Sequence, residues 1–156
     1  MEKIVQIKRE KEKRSKIQDY TDLDSNQELK IINMYFLNEE SIYSDYITSE
    51  VKKKISSYKQ QDKKKNKFDE NTIIKLDETI EKMVECKLKC FYCKENVKIF
   101  YKNVRDEKQW TLERLDNNIG HTCNNTVISC LQCNLQRRNK NSKDFKFAKQ
   151  LVIKKI

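Results

Sequence analysis

The sequence predicts an α+β protein in which a helical N-terminal region precedes a small β–β–α unit held together by a metal. Apolar positions repeat at helical spacing through much of the first 86 residues. Beyond them, two Cys-x-x-Cys pairs frame a segment that contains short strand-like runs. Apolar and charged residues each make up 37% of the chain, so the core is modest and a metal staple would add needed stability.

We predict three parts: a basic helical region at 1–86, a metal-bound unit at 87–142, and a C-terminal helix or tail at 143–156. Residues 1–20 are expected to form a charged helix or an arm. Turns must come mostly from Asn, Asp and Ser, because the chain has one Gly and no Pro. The expected helices are 27–37, 49–61, 72–86, 130–138 and 145–156, and the expected strands are 97–101, 109–115 and 126–129.

The chain carries a formal net charge of +10 and has a sequence pI of about 9.2. This excess has two interpretations: solubility combined with a Lys/Asn/Ile-rich coding bias, or a polyanionic partner such as nucleic acid or an anionic membrane. We expect no membrane span, because no apolar run approaches the roughly 20 residues that one requires. The N-terminal stretch has no apolar core of a secretion signal, so we expect an intracellular protein, cytoplasmic or nuclear, which includes a viral protein in an infected cell.

The second predicted helix is expected to turn several lysines outward, and it runs directly into the most basic stretch of the chain at 62–67. A solvated helix face is one interpretation of this stretch, and contact with nucleic-acid phosphates is the other. The candidate phosphate contacts are Lys52, Lys53, Lys54, Lys59, Lys63, Lys64, Lys65 and Lys67.

The two cysteine pairs are Cys90 with Cys93 and Cys130 with Cys133. Four thiolates in two such pairs match a closed tetrahedral zinc site, and the long separation requires a structured segment between them. A redox dithiol is the alternative, but no thioredoxin-like βαβ pattern surrounds either pair. We therefore predict structural Zn²⁺.

The segment between the pairs adds a multi-part pattern. It reads Leu-Glu-Arg-Leu-Asp-Asn at 112–117, Gly-His-Thr at 120–122, Asn125, and Cys-Leu-Gln-Cys-Asn at 130–134. With the first cysteine pair, this pattern resembles the HNH, or ββα-metal (His-Me finger), endonucleases, and most closely their four-cysteine zinc branch in phage recombination endonucleases and large DNA viruses. The resemblance covers residues 90 to about 140.

The resemblance implies a divalent-metal site for Mg²⁺ or Mn²⁺ with Glu113 and Asn134 as ligands. A carboxylate and an amide oxygen suit these hard cations, which keep several of their waters. It also implies that Asn125 ties the loop between the strands. Arg137 and Arg138 follow on the helix as phosphate contacts, although a plain helix-surface role is almost equally compatible with the sequence.

Two positions depart from the family pattern. Glu113 replaces the usual Asp, and Arg114 stands where the family has its general-base His. A guanidinium does not lose its proton in proteins, so Arg114 can only stabilise charge on the phosphate. His121, the single histidine, is the candidate base, with a structural loop histidine as the alternative. Tyr92 and Tyr101 are more distant candidates.

These expectations describe a divalent-metal-dependent HNH-type endonuclease that hydrolyses phosphodiester bonds of DNA. The first alternative is a non-catalytic, zinc-stabilised DNA-binding protein that keeps the ββα-metal fold. A zinc-stabilised protein–protein adaptor is the second, and it would make the lysine run incidental. Binding to DNA that weakens with salt would favour either DNA-binding hypothesis over the adaptor.

Overall fold

The computed structural model describes residues 23–156, so the expectation for 1–20 lies outside the described residues. The described part is a mixed helical and β structure with one two-stranded sheet, which confirms the α+β prediction. Its elements are α1 (Ser25–Phe36), α2 (Ser44–Lys64), α3 (Leu76–Glu85), β1 (Trp110–Arg114), β2 (Thr126–Cys130), α4 (Leu131–Arg137) and α5 (Ser142–Gln150).

The first three helices form the helical region and bury their apolar faces against each other and the sheet. α1 begins with a capping box, in which Asp24 accepts from the Gln27 N–H and the Gln27 side chain accepts from the Asp24 N–H. α2 extends over 21 residues, longer at both ends than the sequence predicts. α3 begins four residues later than predicted, because residues 69–73 form turns before it.

β1 and β2 form an antiparallel pair, and α4 follows β2 without a loop. In the register, Trp110 faces Cys130 and Arg114 faces Thr126. Burial of Trp110 and Leu112 places one face of the sheet in the core. The chain therefore contains a β–β–α unit in sequence order, with α4 starting at the second cysteine pair.

The strand predicted at 97–101 is wrong. All of these residues except the exposed Lys98 are buried, but they form only an isolated bridge, between Lys98 and Gln109. The N–H groups of Ile99 and Phe100 instead donate to the carboxylate of Glu28 on α1, at 3.1 and 2.8 Å. The segment is apolar because it packs under α1 and α2, and two of its N–H groups are satisfied by a side chain rather than by a neighbouring strand.

The C-terminal helix is also shorter than predicted. α5 ends at Gln150, and residues 151–156 follow it without helical structure and are exposed. Among the described residues, none of the helices has both the length and the apolar composition that crossing a bilayer would require.

Candidate metal centre and the adjoining groove

The four paired cysteines come together at one point of the β–β–α unit. Their sulfur atoms all lie within 4.8 Å of one another, and three of the four residues are buried. A tetrahedral zinc with Zn–S bonds near 2.3 Å would hold its sulfurs roughly 3.8 Å apart, so the cluster is close to that spacing. The tetrad can therefore bind a metal such as zinc.

Local backbone structure positions each pair. Cys90 starts a tight turn in which the Lys94 N–H donates to the Cys90 carbonyl at 3.0 Å, and the Phe91 N–H donates to the β2 residue Ile128 at 2.9 Å. Cys130 is the N-cap of α4, and its sulfur accepts from the Cys133 N–H at 3.4 Å. The turn and the helix start thus direct both pairs to the same point.

The crowded sulfurs affect each other's ionisation. A hydrogen bond with Cys130 lowers the pKa of Cys90, whereas the same contact and burial raise the pKa of Cys130. Four thiolates this close repel each other, so they would all ionise only around a cation. Cys86 and Cys123 lie outside the tetrad.

A groove of about 910 Å³ opens beside this centre, between the C-terminal half of α2 on one side and β1 and α4 on the other. Its lining includes all four residues that the sequence identified as candidate catalytic groups: Glu113, Arg114, His121 and Asn134. Lys54, Lys65 and Arg138 add positive charge to the same lining. The groove therefore brings together side chains from four different segments.

Glu113 is buried and forms an ion pair with Arg137, with 2.8 Å between Oε1 and Nη1. Its second oxygen, Oε2, is buried with no hydrogen-bond partner among residues 23–156. Burial raises the pKa of Glu113 to about 7, although the Arg137 charge opposes this. An unpartnered buried carboxylate oxygen favours either a proton or a cation at that position.

Arg137 does not occupy the position expected of a phosphate contact. Besides Glu113, its guanidinium donates to the backbone carbonyls of Arg114, Leu115 and Lys140, and the residue is buried. It ties α4 to the end of β1. Arg138 is exposed and lines the groove, because the helix ends there with a positive φ of 53°.

Asn134 and Asn125 both lock local structure. The Asn134 amide nitrogen donates to Thr111 Oγ1 on β1 at 3.1 Å, so its amide oxygen is the atom left for a cation. Asn125 accepts from the Asp116 N–H and donates to the Asp116 and Gly120 carbonyls at 2.9 to 3.0 Å. These contacts tie the loop between the two strands.

The candidate lysines are placed in three different ways. Lys54 turns inward: its ammonium donates to the Gln109 side chain at 3.1 Å and to the Trp110 carbonyl, and lies 4.3 Å from the Trp110 ring centre. Lys67 donates to the Asn117 carbonyl, and Lys59 pairs with Glu70 at 3.7 Å. The candidates on the exposed surface are Lys52, Lys53, Lys63, Lys64 and Lys65.

His121 is held by a residue that the sequence reasoning did not select. Its Nδ1 lies 2.8 Å from Asp62 Oδ1, its backbone N–H donates to Asp62 Oδ2 at 2.7 Å, and its ring stacks on Tyr58 at 4.4 Å. Both partners are on α2. Helical spacing could have revealed Asp62, because it continues the inward face of Val51, Ile55 and Tyr58 and is the single acid between 59 and 67.

No protein family model, curated protein or solved structure matches this chain. The site must therefore be interpreted from its own geometry.

Proposed function

We propose that this protein is a divalent-metal-dependent endonuclease of the HNH, ββα-metal type, stapled by Zn²⁺ on the four cysteines. One observation carries the proposal: Glu113, Arg114, His121 and Asn134 share the lining of a single groove with Lys54, Lys65 and Arg138. Phosphodiester hydrolysis needs a base, oxygen ligands for a cation and positive charge around the phosphate. The groove contains each of these.

The donor atoms available fit a hard divalent cation such as Mg²⁺ or Mn²⁺. Glu113 offers the buried oxygen Oε2, which has no partner among the described residues, and Asn134 offers its amide oxygen. Such a cation, when bound, would stabilise negative charge on the phosphate and on the departing oxygen. Arg114, half-buried beside them, would add a fixed positive charge to the same region.

His121 would take a proton from the attacking water. The water oxygen then forms a bond to phosphorus, the bond from phosphorus to the leaving oxygen breaks, and the leaving oxygen takes a proton from solvent. Burial lowers the pKa of His121, so its ring is neutral and able to accept a proton at neutral pH. The base itself should therefore stay able to accept a proton to a pH below the ordinary histidine value.

A supercoiled plasmid tests the proposal. Zinc-loaded protein with added Mg²⁺ or Mn²⁺ should nick the plasmid, and Asn134→Ala and His121→Ala should each lose at least about 100-fold in rate. Gln136→Ala is the matched control, because Gln136 is exposed on the same helix but outside the groove lining. Wild-type protein that binds the plasmid and leaves it intact with both metals would refute the nuclease.

The second candidate is a non-catalytic DNA-binding protein with the same zinc staple. The observation that favours it is the buried Glu113–Arg137 pair, because a carboxylate committed to an arginine can be structural alone. In that case binding should weaken steeply with salt, and Arg138→Ala should reduce the affinity without any metal-dependent cleavage. Cleavage by wild-type protein would exclude this candidate.

A further inference from the structure

We infer that Asp62 is a positioning residue that holds His121 in the Nδ1–H tautomer, so that Nε2 is the proton-accepting atom at the groove. The inference deepens the proposed function and rests on it for its catalytic meaning. Asp62 lies on α2, outside the segment that carries the family-like pattern, and 59 residues before His121.

Asp62 contacts His121 through both of its carboxylate oxygens. Oδ2 accepts the backbone N–H of His121 at 2.7 Å, and Oδ1 lies 2.8 Å from the ring Nδ1. An ionised carboxylate can only accept hydrogen bonds, so Nδ1 must carry the proton in this pair. A neutral imidazole with its proton on Nδ1 has a lone pair on Nε2.

A second contact, with Tyr58, fixes the plane of the His121 ring. Tyr58, one turn before Asp62 on α2, stacks on His121 with 4.4 Å between ring centres and 23° between planes. The Tyr58 hydroxyl accepts from the Leu112 N–H at 3.2 Å, which anchors it to β1. The imidazole is therefore fixed by a carboxylate on one edge and by an aromatic face, while His121 still lines the groove.

The backbone beside His121 is fitted to the same carboxylate. A Cβ added at Gly120 would lie 2.9 Å from Asp62 Oδ2 and 2.5 Å from the Lys67 carbonyl. The single glycine of the chain thus stands where the loop approaches the end of α2 too closely for a side chain. His121 is placed by this docking, and Asp62 is its central contact.

The charged groups around the pair act in opposite directions. Burial, Arg114 and Lys65 lower the pKa of His121, and Asp62 raises it. The net effect is a lowered pKa, so a neutral ring is favoured near pH 7. Asp62 therefore orients the base and fixes its tautomer without converting it to the charged form.

Asp62→Asn is the sharpest variant. The asparagine oxygen can still accept the His121 N–H, but its NH₂ would face Nδ1 as a donor and would favour the opposite tautomer, with the proton on Nε2. The turnover rate for plasmid nicking should fall about 100- to 10,000-fold, with the plasmid concentration at half-maximal rate changed less than about twofold. Gln60→Ala, exposed on the same helix, is the control and should nick as wild type.

A double variant tests whether Asp62 acts through His121. Adding Asp62→Asn to His121→Ala should reduce nicking no further than His121→Ala alone, because two residues that act as a unit are not additive. A further loss in the double variant, or wild-type nicking by Asp62→Asn, would overturn the inference.

The tautomer itself can be measured without any activity. Because the chain has one histidine, nitrogen-15 labelling of histidine gives one pair of ring signals. At pH 7.5 these should show protonated Nδ1 and unprotonated Nε2 in wild type, and the reverse in Asp62→Asn. A charged ring or an Nε2–H tautomer in wild type would refute the inference. The expected tautomer in a protein that does not nick would support the positioning and refute only the nuclease.

Discussion

The two sites of the β–β–α unit share the short helix α4 and differ in what their polar atoms face. At the start of α4, Cys130 and Cys133 face the other two sulfurs in a closed cluster. Further along, Asn134 and Arg138 face an open groove, where Glu113 keeps a buried oxygen without a partner. Such an atom costs about 1–3 kcal/mol. A metal held by the closed cluster would stabilise the fold, whereas the buried Glu113 oxygen at the groove could be satisfied by a cation or a proton.

The largest difference should appear between the loss of a cysteine in the tetrad and the loss of a cysteine outside it. Cys133→Ser removes a thiolate from the tetrad, and structural zinc contributes about 10–16 kcal/mol to small domains, so the β–β–α unit should fail to fold. Cys123→Ser, outside the tetrad, should retain a wild-type circular dichroism spectrum and thermal midpoint. Removal of the metal with a chelator should also unfold the β–β–α unit. A Cys133→Ser protein with the wild-type melting curve would show that the tetrad does not stabilise the fold.

Adjacent arginines test the groove side of the comparison. Arg137→Met removes the ion-pair partner of Glu113 and the donor to the carbonyls of Arg114, Leu115 and Lys140, and should lower the free energy of unfolding in urea by about 3–5 kcal/mol. Arg138→Met changes an exposed side chain and should alter it by less than about 0.5 kcal/mol. Equal effects of the two substitutions would contradict the different burial of these neighbours.

The docking of the loop onto α2 predicts a smaller effect. Gly120→Ala places a methyl group 2.5 Å from the Lys67 carbonyl and should destabilise the protein by about 1–3 kcal/mol. Ile119→Ala, at an exposed position next to it, should cost less than about 0.5 kcal/mol. Thermal unfolding followed by circular dichroism measures both, and a neutral Gly120→Ala would mean that the loop is not held this closely.

The smallest effect should be on the pH dependence of the free energy of unfolding, to which Glu28, a carboxylate outside both sites, contributes. Burial raises the pKa of Glu28 to about 7, above its ordinary value, so its contribution to stability is present at low pH and lost as pH rises through about 7. Glu28→Gln keeps an oxygen for the Ile99 and Phe100 N–H groups. Its free energy of unfolding should fall less between pH 5 and pH 8 than that of wild type, because the glutamine side chain does not titrate. Parallel slopes would exclude Glu28 as a source.

Short sequence patterns predicted the cysteine tetrad, the two strands and the helix that follows them. The cysteine spacing predicts the tetrad, because each pair and its turn are set within four residues. The strands at 110–114 and 126–130 lie close to the runs predicted at 109–115 and 126–129, and α4 lies where the helix was predicted to open at Cys130. The α+β class follows from these elements and the helical periodicity before them.

Long-range pairings account for what the sequence did not predict. Residues 97–101 have the composition of a strand, but their partner is the Glu28 carboxylate, about 70 residues earlier. The sequence does not distinguish the neighbouring residues Arg137 and Arg138. Arg137 is buried and Arg138 exposed because of the phase of α4 and the point at which it ends. The Asp62–His121 contact likewise requires knowing that α2 lies against the loop.

The way α2 lies along the molecule limits how the β–β–α unit could be exchanged between proteins. Along its length, Tyr46 reaches the Ile99 carbonyl, Tyr58 the Leu112 N–H, and Asp62 the His121 loop. A recombination event that transferred residues 87–150 alone would leave behind the groove's second wall and the carboxylate that orients the histidine. A transfer that keeps the groove and the orientation of His121 must therefore include α2 together with the β–β–α unit.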